Sequence, residues 1–113
     1  MITIVYANED CHRLKIEGHA GYDRSGRDII CAAVSAITFS LLGWLESDGG
    51  AIYEDTPVME SGKTVIACRG DDRLDAAFDM ALIGYLQIER QYPDYIKVII
   101  PDDITVDIQT DWV

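Results

Sequence analysis

The chain has 113 residues, 49% of them apolar, and carries 20 acidic against 9 basic residues for a net charge of -11. That length makes a single domain, residues 1–113, with enough apolar surface for a core and no need of disulfides or a structural metal. The negative field disfavours a phosphate backbone as partner, no apolar run is expected to reach the ~18 residues of a membrane span, and the start MITIVYANED has no basic region or cleavage site.

In chain order, ITIVYA (2–7) is β-branched and aromatic, and Asn8-Glu9-Asp10 is a turn. Arg13 to Glu17 then alternates, with Leu14 and Ile16 on one face, so a hairpin is predicted. A loop from Ala20 to Arg27 leads to a helix over 29–46, stopped by Asp48-Gly49-Gly50. Strands follow at 51–54 and 63–68, joined through Pro57 and the Ser61-Gly62 turn. A second helix over 72–91 carries Leu74, Phe78, Leu82, Tyr85 and Tyr92 near helical spacing, and Pro93 ends it. Strands at 96–100 and 104–108 close the chain. The order ββαββαβ, with a short final strand added, predicts a two-layer α+β domain: a mostly antiparallel or mixed sheet with two helices on one side.

The first helix has three stripes. Ile30, Val34, Ile37, Leu41 and Trp44 form an apolar one, and Ala33, Ala36, Ser40 and Gly43 one of small residues; Cys31, Ser35 and Thr38 form the third. So little charge predicts a helix buried nearly all round, with its N-terminus at a cleft. Asp28 stands at the N-cap, which makes Cys31 the third helical residue, where the cap carboxylate can accept its N–H. A thiolate there also feels the positive end of the helix. His19, twelve residues earlier at the end of a strand, is the candidate base, so the pair has the parts of a cysteine nucleophile. The loop between them, with Gly21 and Gly26 near its ends and Tyr22 inside, is either a movable flap or an ordinary surface loop. Asp28 either only caps the helix or also orients His19, and Ser35 either donates a hydrogen bond at the site or packs. The three cysteines, Cys11, Cys31 and Cys68, are an odd count without a CxxC pair and read as free thiols of a reducing, cytoplasmic compartment. Cys68 is expected in the core, and Cys11-His12 lacks further ligands at metal spacing.

Gly18-His19-Ala20, then Gly26, then Asp28-Ile29-Ile30-Cys31-Ala32-Ala33-Val34-Ser35 resembles the signature of the ribosomal-processing cysteine protease family, Prp. The other elements follow that family's order along nearly the whole chain, including the Tyr92-Pro93-Asp94-Tyr95 turn. The resemblance implies a cytoplasmic, homodimeric cysteine endopeptidase of bacteria or their phages, serving ribosome biogenesis. Its substrate would be the precursor of protein twenty-seven of the large ribosomal subunit, from which it removes a short N-terminal extension. His19 matches the family's catalytic histidine and Cys31 its nucleophile. Gly18, Asp28 and Ser35 fall on supporting positions, and Gly21, Tyr22 and Gly26 on its flap. No metal or other cofactor, nucleic acid or membrane is implied. Backbone N–H groups at the start of the first helix are the expected oxyanion donors. The tail after Ile100 matches no part of the family. Two rival readings use the same residues: a redox-sensing thiol at Cys31, and an acidic module that captures a basic protein.

Overall fold

The structure is a computed structural model that describes residues 1–24 and 26–100. The strand expected at 104–108, and Ser25 of the loop, lie outside the described residues. Eight elements follow in order: β1 (Ile2–Asn8), β2 (His12–Glu17), α1 (Ile29–Ser47), β3 (Ile52–Tyr53), β4 (Val58–Glu60), β5 (Lys63–Arg69), α2 (Arg73–Gln91) and β6 (Ile96–Ile99). The α+β expectation holds, with one strand more among the described residues than the five the sequence predicts there. That strand, β4, is three residues long, too short for alternation to register.

The sheet runs β3-β5-β2-β1-β6, with β4 also paired to β5. Every pairing is antiparallel except β1 with β6. Period-two alternation decides the faces. Ile2, Ile4, Tyr6, Leu14, Ile16, Ile66, Cys68 and Ile96 are buried under the helices. Val5, Arg13, Lys15, Glu17 and Lys97, on the other face, are exposed. From α2, Leu74, Phe78, Leu82 and Tyr85 enter the same core, each fully buried. At 25 cal/mol per Å², each such side chain contributes roughly 1.5–3 kcal/mol.

Two expectations about α1 are corrected. Its inward stripe is Ile30, Val34, Thr38, Leu41 and Leu45, while Ala32, Ser35, Ala36, Phe39, Ser40 and Gly43 are exposed. The helix is therefore not buried nearly all round. Against α2, a close approach is made where Gly84 lacks a Cβ and leaves room for Ile37. A 19-residue helix with a mean hydropathy of 1.8 is also long and apolar enough to cross a membrane, by length and composition alone. One side of it is nonetheless part of the core.

At the opposite end of β2 from the loop, His12 is buried at 6% exposure. Its Nδ1 lies 2.6 Å from the Tyr6 hydroxyl and its Nε2 3.2 Å from Asp75 Oδ1. The ring stacks flat on Phe78 at 4.4 Å. Burial lowers the His12 pKa, against the opposing pull of the Asp75 and Asp79 carboxylates.

Candidate active site

The chain leaves β2 at Glu17, and pairing with β5 continues one step further: Gly18 N–H donates to the Gly62 carbonyl at 2.9 Å. Gly18 has φ +93°, and a Cβ there would collide with the Met1 carbonyl oxygen. Only glycine passes between the two backbones at this point. The next residue, His19, is exposed, and Ala20 is buried at 4% exposure. The exit from β2 is thus pinned on both sides of the imidazole.

Cys31 enters from α1, where the expected cap is found. Asp28 Oδ1 accepts the N–H groups of Ile30 at 3.1 Å and Cys31 at 3.0 Å. Its Oδ2 accepts the N–H of Tyr22, from the loop, at 3.1 Å. Burial works to raise the Asp28 pKa, but hydrogen bonds from the Cys31, Tyr22 and Asp23 backbone and from the Cys31 thiol outweigh it and hold the carboxyl below its ordinary value. Both oxygens are engaged by backbone donors, which favours the capping role. One expectation is narrowed here. The Ile30 and Cys31 N–H groups are bound by Asp28, and the Ala32 N–H donates to the Asp28 carbonyl, so the first turn has little left to offer an oxyanion.

The Cys31 thiol is half-buried, and the Ala20 N–H points at it with a nitrogen to sulfur distance of 3.4 Å. Nothing in the residue type could announce this contact, because Ala20 acts through its backbone. His19 and Cys31 line one cleft of about 670 Å³. Among the described residues no hydrogen bond joins imidazole and thiol, a looseness common in ligand-free sites. Gly18, Asp28 and Ser35 line the same cleft. Ser35 is one turn beyond Cys31, and among the described residues its hydroxyl has no partner, whereas Thr38, Ser40 and Ser47 bond to carbonyls four residues back. It is free to bond to a substrate.

The loop covers one side. Gly21 and Gly26 both have positive φ and line the cleft with Asp23. Tyr22 turns away from it and meets Tyr92 and Tyr95 edge-on, at 5.7 and 5.2 Å between ring centres. The turn after α2 thus receives the loop. The sequence gives no hint of the opposite wall, Met59 to Thr64, which the β4–β5 hairpin supplies. Ile2, Ile16, Val34, Phe39 and Met59 make the interior largely apolar, suited to hydrophobic side chains.

A half-buried thiol at a helix start, an imidazole lining the same cleft and a loop over that cleft are the features to compare with known proteins. Ribosomal processing cysteine protease Prp of Mycoplasma pneumoniae is 31% identical over 86 residues, 76% of this chain and 84% of that protein. The protein of the same name in Mycoplasma genitalium is 29% identical over 85 residues, covering 75% and 84%. The fold is shared with the essential ribosomal processing protease Prp from S. aureus in complex with a covalently linked product peptide. Its TM-score is 0.80 at 21% identity, over 89% of this chain and 100% of that one. A complex of the S. aureus protease with a substrate peptide gives 0.75 at 20%, with the same coverage. The family described as cysteine protease Prp matches residues 1–97, so this chain belongs to that family of ribosomal-processing cysteine proteases.

Proposed function

We propose that this chain is the endopeptidase that removes the N-terminal extension of protein twenty-seven of the large ribosomal subunit, with Cys31 as nucleophile and His19 as its base. The observation that carries the reading is the convergence of both side chains on one cleft, with the Ala20 N–H on the sulfur. His19 takes the thiol proton, and the Cys31 thiolate attacks the scissile carbonyl. His19 then returns the proton to the leaving amine, and water hydrolyses the thioester. Since Asp28 engages the Ile30 and Cys31 donors, the Ala20 N–H beside the sulfur is our candidate backbone donor to the developing oxyanion. An extended peptide lies between the loop and the β4–β5 hairpin, and its apolar side chains fill the cleft. A substrate that is itself a ribosomal protein supports a cytoplasmic location.

The exposed face of α1, with Ala36, Phe39, Ser40 and Gly43, supports a homodimer, since small side chains let a second backbone approach closely. Incubation with the extended precursor tests the activity. One cut near its N-terminus is expected from the native protein and none from a Cys31→Ser form. Intact precursor after long incubation with reduced, folded protein overturns the proposal. Under that outcome, a sulfenic acid formed on Cys31 by mild peroxide would favour the redox reading, and stable capture of the precursor the binding one.

A further inference from the structure

We infer that Gly62, in the turn between β4 and β5, is a positioning residue for the His19 imidazole. The inference rests on the proposed role of His19 as the base. Two observations carry it. A Cβ built on Gly62 would lie 2.8 Å from His19 Nε2 and 3.2 Å from Cε1, so the distal edge of the ring rests on the space that glycine leaves. The Gly62 carbonyl also accepts the Gly18 N–H at 2.9 Å, so the same residue anchors the backbone immediately before the histidine.

The arrangement follows from register. Glu17 pairs with Lys63, which brings the Ser61-Gly62 turn to the exit of β2, where the chain releases His19 into the cleft. Gly62 has φ +76°, at the second central residue of the turn, which a type II turn reserves for glycine. An exposed histidine on a loop would otherwise sample several rotamers. Contact with the Gly62 backbone on one side, and the pinned Gly18 on the other, narrows them. A methyl group at position 62 pushes the ring off this seat while leaving the imidazole chemically intact.

The test compares Gly62→Ala with Gly50→Ala. Gly50 also has positive φ, at +59°, but a Cβ there meets nothing within 4 Å, so it controls for backbone strain alone. With the extended ribosomal precursor as substrate, Gly62→Ala is expected to lower kcat about a hundredfold with little change in KM, and Gly50→Ala to leave both unchanged. Alkylation of Cys31 by iodoacetamide gives a second readout that needs no peptide. Gly62→Ala should slow it in the native background and have no effect in a His19→Ala background, because a residue acting through His19 has nothing left to position.

Equal slowing in both backgrounds, or native kcat in Gly62→Ala, overturns the inference. If the precursor is not cut at all, the proposed function fails, and the alkylation cycle still decides the role of Gly62. Should Gly62→Ala not fold, proton NMR of the unsubstituted protein decides. A cross-peak between the His19 ring and the Gly62 α-protons is expected, and its absence overturns the contact.

Discussion

Backbone N–H groups converge on the Asp28 carboxylate from two directions, from Ile30 and Cys31 at the helix start and from Tyr22 in the loop. An amide side chain has one acceptor oxygen, so Asp28→Asn can keep the helix cap or the loop contact but not both. The cap has two bonds to lose and should win. We expect Asp28→Asn to fold with a melting temperature near native, to hold the loop less tightly and to keep part of the activity, whereas His19→Ala abolishes turnover. Asp28→Ala removes the cap as well, at about 1 kcal/mol. An Asp28→Asn form as inactive as His19→Ala would instead make the aspartate a third catalytic group. At the other end of β2, His12 makes stability depend on pH. An unfolded chain binds the histidine proton near pH 6.5, and the buried ring binds it only at lower pH. Between those values the unfolded chain takes up more protons. The His12 contribution is therefore complete above about pH 6.5 and is lost as pH falls through the folded value. Urea midpoints at about pH 7.5 and about pH 5 should differ more for the native protein than for His12→Asn; equal differences would refute this.

At the scale of elements, the loop is held by its ends and by one aromatic side chain. Each edge-on tyrosine pair contributes roughly 0.5–1.5 kcal/mol beyond burial. Tyr22→Ala, losing two such pairs, should open the loop about tenfold more often. Limited trypsin cleavage after Arg24 and Arg27 measures this, and an unchanged rate would show that the contacts with Tyr92 and Tyr95 do not hold the loop. How legible an element is in the sequence depends on how local its signals are. The hairpin, both helices, the Asp28 cap and the positions of His19 and Cys31 at the strand end and helix start all follow from neighbouring residues. The short β4, the packing of Tyr22 on a turn seventy residues away and the Gly62 seat for His19 depend on strand register and loop folding, which no local period encodes. The exposed side of α1 misleads for a related reason. Alanine, serine and glycine carry no charge, so a helix face made of them reads as buried whether or not anything covers it.

For the molecule as a whole, that uncovered face is where the proposed dimer would form. Light scattering at micromolar concentration is expected to give a mass near twice 12.6 kDa. A monomer would leave the α1 face to another partner. The order of the site along the chain has a consequence for synthesis. His19 and Cys31, the proposed base and nucleophile, are only twelve residues apart and leave the ribosome almost together, but the wall that completes the cleft arrives with β4 and β5, some thirty residues later. Until β5 pairs with β2, the nascent chain carries a thiol and an imidazole with no pocket and no seat for the ring. Since domains fold as units while they are made, the proposed pair would have its cleft, and any activity that needs one, only once the second half of the sheet is in place.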